Sequence, residues 1–185
     1  MIYIGIDPGK TGGIAWISQT YDEPPKVFHT CRMPETERDL FDALNIGHPG
    51  TVAMLERVGA SPQMGTVSAF TFGRGYGALL MGLTASLIPF DLVAPAKWQL
   101  AMGCRTKGDK NISKRRAQQL FPHLTITHAI ADALLIAEYC RRVSRGNDAT
   151  ESKEPRTETV KETREGGAQA NREGGAQGVT EGRRR

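Results

Sequence analysis

Cysteine is scarce in this chain and is never paired at short spacing. The three cysteines, Cys31, Cys104 and Cys140, lie far apart, and no Cys-x-x-Cys motif occurs. An odd and scattered set of thiols excludes a disulfide-stabilised scaffold and a cysteine-ligated zinc site. Free thiols are typical of a protein that folds in a reducing cytosol, and we expect that compartment here.

Long uninterrupted apolar runs are also missing. The longest apolar stretch, YGALLMGLTASLIPFDLVAPA, is broken by Pro89 and Asp91 and is too short to span a bilayer. The N-terminal apolar run has no basic segment before it and is interrupted by Asp7 and Pro8, so a signal peptide is not expected. We therefore expect no membrane partner.

Large apolar residues become rare beyond Arg145. Within residues 146–185 only Val160 and Val179 remain, and the hexamer REGGAQ occurs twice. Such a segment buries too little surface to offset its ordering entropy, which predicts a disordered, low-complexity tail after a folded domain of residues 1–145. The net charge of +4 belongs to the predicted domain, because the tail has equal numbers of acidic and basic residues. This excess is compatible with a polyanionic partner.

Strand and helix patterns alternate through the predicted domain. The runs YIGID, GGIAWIS and KVFHT predict strands that pair as hairpins, and TVAMLE and LIPFDLVAP predict two further strands. Helices are expected over PETERDLFDALNI, residues 63–86, residues 111–120 and HAIADALLIAEYCRR. This order predicts an α/β fold with a mixed central sheet.

Three acids stand at informative positions of these elements. Asp7 ends the first strand, Glu56 ends TVAMLE, and Asp132 lies in the apolar stretch AIADALLIA of the last helix. Adjacent strand ends meet at a common edge of a layered α/β domain, where a packed helix adds a third side chain. Mg²⁺ prefers carboxylates, water and phosphate oxygens, and two such ions promote phosphodiester cleavage. The acids therefore predict a metal site. His128 would share a helix face with Asp132 and act there as a ligand or proton-transfer group.

Each of these residues also has a structural explanation. Asp-Pro-Gly is a common turn sequence, a glutamate at Glu56 is consistent with a strand that leaves the core, and His128 suits a helix start. The structural explanation is weakest for Asp132, because burial of an acid in an apolar helix is unfavourable unless it is paired or coordinated.

A basic cluster precedes the last helix. Its members fall within twelve positions and are Arg105, Lys107, Lys110, Lys114, Arg115 and Arg116. Lysine and arginine contacts to phosphates supply affinity without reading base sequence, although a solvated helix face is the alternative explanation. Arg57 and Arg74, near the acidic edge, are further candidates for DNA contact.

These motifs together resemble the RuvC-like Holliday junction resolvases of the RNase H-like superfamily. The resemblance covers residues 1–143 and rests on GIDPGKTGGIAW, the strand that ends at Glu56, GRGYGALLMGL, APAKWQLAMGCRTKGDKNISKRRAQQLFP and ADALLIAEY, in this order. It implies an RNase H-like three-layer fold with helices on both faces of the sheet. It also implies a homodimeric endonuclease, dependent on two Mg²⁺ ions or on Mn²⁺, that cuts four-way DNA junctions symmetrically in a bacterial or phage-infected cell. No small-molecule substrate is expected.

The resemblance also implies residue roles. It makes Asp7, Glu56, Asp132 and His128 metal-binding catalytic residues. It places Lys107 and Lys110 in the family's basic loop near the scissile phosphate, with Lys110 as the better match for a catalytic group.

Two features depart from the family pattern. His128 precedes the last acid by four positions, where housekeeping relatives have a spacing of three. Those relatives also have an aromatic residue three positions after the glutamate, where this chain has Gly59. Either Phe70 or Phe72 would then stack on the junction bases, or junction opening would work in a different way.

Three other functions are consistent with parts of the pattern. An RNase H-type or flap or branched-DNA nuclease would use the same carboxylates. GIDPGKTGG also resembles the phosphate loop of sugar-kinase and chaperone-type ATPases, but the predicted domain is too short for their two halves. A catalytically inactive junction-binding module is the non-enzymatic alternative, and the intact acids argue against it.

Overall fold

Five strands form one mixed sheet in the part of the chain that the structure describes. The computed structural model describes residues 1–46, 48–59, 61–105 and 109–151, without the side chains of Lys110 and residues 147–151. The strands are β1 (Ile2–Asp7), β2 (Gly13–Ser18), β3 (Lys26–Arg32), β4 (Thr51–Glu56) and β5 (Phe90–Val93). Their order is β3-β2-β1-β4-β5, with antiparallel β1–β2 and β2–β3 pairs and parallel β1–β4 and β4–β5 pairs. The predicted mixed sheet is confirmed.

Helices cover both faces of this sheet. The helices in the described ranges are α1 (Glu37–Leu44), α2 (Thr66–Ala85), α3 (Pro95–Met102), α4 (Lys110–Leu120) and α5 (His128–Glu151). The first two bury Leu40, Leu44, Leu79 and Leu83 against one face of the sheet. The last three form the second core on the opposite face. The expected three-layer arrangement is therefore present.

The central helix α5 lies directly on the backbone of β1 and β2. A Cβ atom at Gly5 would come within 2.7 Å of Cα of Ala137, and one at Gly13 would lie 2.7 Å from the carbonyl oxygen of Ala129. Real Cβ atoms do not approach other atoms this closely, so glycine is required at both strand positions. The two glycines determine how closely α5 approaches the sheet.

A buried glutamate paired with two arginines anchors the middle of α5. Glu138 is 5% exposed and accepts hydrogen bonds from Arg141 and Arg142 at 2.7–2.8 Å. Arg141 also donates to Oε1 of Gln19, at 2.9 Å. Burial alone would raise the pKa of Glu138, but the two arginines outweigh it and lower that pKa. The cluster joins α5 to the segment that follows β2.

The structure differs from the sequence prediction in one helix. The segment APAKWQLAMG, for which no helix was predicted, contains α3, which has Pro95 at its first position and ends at Gly103 in a left-handed conformation with φ 68°. Helix α5 continues to Glu151, past the predicted boundary at Arg145. The remainder of the predicted tail, residues 152–185, lies outside the described residues. No helix in the described ranges combines the length and apolar character needed to cross a membrane.

Candidate metal-binding edge of the sheet

Strand alternation places Asp7 on the face of the sheet that α5 covers. Successive side chains of a strand point to opposite faces. In β1, Ile4 and Ile6 belong to the core beneath α1 and α2, whereas Tyr3 belongs to the core beneath α5 and Gly5 touches α5. Asp7 therefore follows Tyr3 and Gly5 onto the α5 face, at the carboxyl end of the strand.

The same alternation places Glu56 of β4 beside Asp7. In β4, Leu55 belongs to the core beneath α1 and α2, and Met54 to the core beneath α5. Because β1 and β4 are parallel and Ile6 pairs with Leu55, the residues that end these two strands lie at the same sheet edge. The predicted convergence of Asp7 and Glu56 follows from this register.

Helix α5 brings Asp132 to this edge. Asp132 lies between Ala129, which meets Gly13, and Ala133, which meets Gly5. Its charge is close enough to raise the pKa of Glu56. The three acids predicted from the sequence therefore come from β1, β4 and α5 to one region.

Glu56 is held by a residue that the sequence analysis did not single out. The indole Nε1 of Trp98 donates to Oε1 of Glu56 at 2.8 Å. Burial raises the pKa of Glu56 most strongly, the hydrogen bond from Trp98 lowers it, and the charge of Asp132 raises it further. The net effect is a raised pKa, which indicates a carboxylate that the fold keeps charged only at a free-energy cost. The available signal for Trp98 was the helix pattern Pro95 to Gly103, which places Trp98 and Met102 on one buried face.

His128 is the first residue of α5 and is exposed, one helical turn before Asp132. Positions four apart share a helix face, so His128 lies on the same side of α5 as Asp132. Among the described residues, no three His, Cys, Asp or Glu side chains already lie close enough together to hold a metal ion. The chemistry of the donor set nevertheless suits Mg²⁺ or Mn²⁺, since carboxylate oxygens are their preferred protein ligands.

The first half of α2 forms a wall beside these strand ends. The ring of Phe72 lies 3.4 Å from the position of a Cβ on Gly9, over the Asp-Pro-Gly turn. Burial raises the pKa of Tyr76, whose hydroxyl faces the Val58 backbone without a well-formed hydrogen bond. The charge of Arg57 lowers this pKa and the charge of Glu56 raises it. Tyr76 is a second neighbour of the site that sequence patterns did not indicate.

The predicted DNA-binding residues are only partly described. Lys107 lies outside the described residues, and Lys110 begins α4 with its side chain undescribed. On α4, Lys114 is half-buried and Arg115 is exposed.

Three arginines on α2, α4 and the segment after β4 differ in their surroundings. Arg57 is exposed directly after Glu56. Arg74 on α2 lies 3.4 Å from Glu37 of α1 in an exposed ion pair. Arg116, in the basic cluster, donates through Nε to the carbonyl of Met102 at 2.8 Å and thus supports the end of α3.

Comparison with solved structures identifies the fold. The chain is similar to Thermus thermophilus RuvC, with a TM-score of 0.60 and 18% identity over 80% of this chain and 97% of that chain. It is equally similar to T. thermophilus RuvC in complex with Holliday junction substrate, with a TM-score of 0.60 and 17% identity over 79% and 96% of the two chains. No family model and no curated protein matches the sequence. The structural likeness confirms the RuvC-like, RNase H-like fold.

Proposed function

We propose that this chain is a divalent-metal-dependent endonuclease of the RuvC-like type that resolves four-way DNA junctions. The observation that supports this most strongly is the convergence of Asp7, Glu56 and Asp132 at one edge of a RuvC-like sheet. The structure of T. thermophilus RuvC with a Holliday junction substrate shows that this fold accommodates such DNA. The net charge of +4 is compatible with a polyanionic substrate.

The carboxylates are suited to hold the metal. Asp7, Glu56 and Asp132 supply oxygen ligands, and His128 adds a nitrogen ligand or a proton-transfer group from the same face of α5 as Asp132. Two bound Mg²⁺ or Mn²⁺ ions would activate a water and stabilise the leaving oxygen of the cleaved phosphodiester. A Cβ at Gly12 would lie 2.1 Å from the carbonyl oxygen of Asp7 and 3.0 Å from its Oδ2, so glycine is required beside Asp7.

The surroundings of the site provide groups for DNA contact. Arg57 and Arg115 are exposed, and Lys107, Lys110, Lys114 and Arg74 complete the set that we assign to phosphate contacts. Phe70 is 73% exposed, whereas Phe72 packs over Gly9. We therefore assign the stacking role of the missing aromatic at Gly59 to Phe70.

A homodimer is part of this proposal, because symmetric cutting of a two-fold junction requires two sites. Helix α2 offers a face for it. A Cβ added at Gly73 or at Gly77 would meet no described atom within 4 Å, and Met81, four residues further, is 61% exposed. Small residues at this spacing allow two helices to approach closely. The same face on both copies would give an isologous interface.

The proposal is tested by metal-dependent cleavage of synthetic substrates. We expect symmetric nicks in a four-way junction with Mg²⁺ or Mn²⁺, and much less cutting of an RNA–DNA hybrid, a flap or a linear duplex. The variants Asp7→Asn and Asp132→Asn should bind the junction but lose cleavage by a factor of about a thousand or more.

Other results would replace the proposal. Preferential cutting of the hybrid or the flap would support the alternative nucleases on the same fold. Junction binding by the wild-type chain without cleavage in either metal would support the inactive binding module.

A further inference from the structure

We infer that Trp98 is a positioning residue for Glu56, which holds one carboxylate oxygen so that the other faces the metal position. The inference rests on the proposed function, because it assigns Glu56 to a metal site. It adds a residue from α3 that contacts neither metal nor DNA in this proposal and acts only through Glu56.

The geometry supports a fixed donor. Nε1 of Trp98 lies 2.8 Å from Oε1 of Glu56, a normal hydrogen-bond distance. The ring is only 1% exposed and belongs to the core beneath α5, together with Met102 and Leu134. A side chain packed on all sides cannot follow a moving carboxylate. The hydrogen bond therefore selects one orientation of Glu56.

The chemistry of the donor matters as much as its position. An indole N–H is neutral and can only donate, so it compensates part of the cost of burying a carboxylate without cancelling the negative charge. A lysine or arginine in the same place would neutralise Glu56 and repel a divalent cation. Among the side chains that the structure describes, none of these cations forms an ion pair with Glu56. Ligating carboxylates are commonly oriented by such hydrogen bonds.

The chain contains its own matched control. Its only other tryptophan, Trp16, is also 1% exposed but lies in the core on the opposite face of the sheet. Within the described part of the chain, Nε1 of Trp16 has no hydrogen-bond partner. Replacement by phenylalanine removes the same N–H and the same volume at both positions. Only at Trp98 does the replacement remove a hydrogen bond to a carboxylate.

The experiment measures Mn²⁺ binding to the full chain by isothermal titration calorimetry, without DNA. We expect Trp98→Phe to weaken Mn²⁺ binding by roughly tenfold or more, the usual effect of losing a hydrogen bond to a metal ligand. Trp16→Phe should bind Mn²⁺ as the wild type does. Metal-free binding of both variants to a four-way junction should be unchanged.

Fluorescence provides a second readout in the same proteins. In Trp16→Phe, the remaining tryptophan is Trp98, so Mn²⁺ should quench its emission with the affinity measured by calorimetry. In Trp98→Phe, the emission of Trp16 should respond little. Should Trp98→Phe not fold, incorporation of 3-benzothienylalanine at position 98 keeps the ring shape and replaces the N–H by sulfur.

The possible failures are distinguishable. A wild-type chain that binds no Mn²⁺ would overturn the metal-dependent function and this inference with it. A wild-type chain that binds Mn²⁺ equally well after either tryptophan replacement would overturn only the positioning role of Trp98. Equal weakening by both replacements would also overturn it, because the effect would then be a general one on the fold.

Discussion

At the scale of single residues, the two glutamates near α5 are treated in opposite ways by the fold. Glu138 is buried with two arginines, and its pKa is lowered. Glu56 is partly buried, receives one neutral donor and lies near the charge of Asp132, and its pKa is raised. The fold therefore stabilises the charge of Glu138 and disfavours that of Glu56. Acids in such unfavourable environments are common at functional sites.

The raised pKa of Glu56 leads to a prediction on stability. An acid whose pKa is higher in the folded state than in the unfolded state lowers the free energy of unfolding as the pH rises above its unfolded pKa of 4.5. In buffer with EDTA, Glu56→Gln should therefore unfold at a higher temperature than the wild type at pH 7. The gain should vanish below pH 4.5, where the wild-type carboxyl is protonated in both states.

Thermal denaturation across this pH range measures the effect. Glu35→Gln serves as the control, because Glu35 is exposed and the same substitution there relieves no burial. A Glu56→Gln variant less stable than the wild type at pH 7 would contradict the prediction.

At the scale of elements, the strands could be predicted from the sequence, whereas the short helix α3 could not. The run TVAMLE coincides with β4, because apolar and β-branched residues between turn signals distinguish a buried strand. Helix α3 has eight residues, too few to show a helical repeat, and no helix was predicted there. Its boundaries were nevertheless marked by a proline at the start and a glycine at the end, a known asymmetry of helices.

The contact between β1 and α5 gives a prediction at this scale. Gly5→Ala would place a methyl group against the backbone of Ala133 and Ala137, so the helix must move. We expect a loss of about 3 kcal/mol in the free energy of unfolding, at the upper end for overpacking. Cleavage should fall more than stability explains, because Asp132 would move away from Asp7.

The control is Gly75→Ala on α2, where no described atom lies within 4 Å of the new methyl group. Alanine is favoured over glycine in a helix by about 1 kcal/mol, so this variant should be at least as stable as the wild type. Chemical denaturation measures the free energy of unfolding of both variants. Equal stability of the two variants would show that α5 tolerates a wider separation from β1.

At the scale of the whole molecule, the acids of the candidate site could be predicted from strand ends and from an apolar helix, but the contacts that hold them could not. Asp7 and Glu56 terminate recognisable strands, so their meeting at one edge follows from topology. The pairing of Trp98 with Glu56 joins residues 42 positions apart and depends on how α3 packs against the sheet. The effect of the Arg57 charge on the pKa of Tyr76 likewise joins residues on different elements. No local pattern in the sequence encodes such contacts.

The proposed dimer gives a prediction for the assembled molecule. Met81→Glu would place a charge next to Gly77 on the glycine-lined face of α2, and we expect the dimer to dissociate while the fold is retained. Leu100→Glu is the control, since Leu100 on α3 is exposed to a similar degree, 65% against 61% for Met81. Analytical ultracentrifugation measures the mass. The monomeric variant should make single nicks where the wild type cuts in pairs, and a dimeric Met81→Glu protein would exclude this face.

The order of the elements along the chain also bears on how the protein is made. Among the described elements, Asp7 lies on β1, which is synthesised early, whereas Asp132 lies on α5, which is synthesised after the other helices and strands. Because domains fold as units once their chain has emerged, a nascent chain lacking α5 has an unfinished sheet and an incomplete set of carboxylates. The carboxylate set of the proposed nuclease would thus be complete only after α5 has been synthesised.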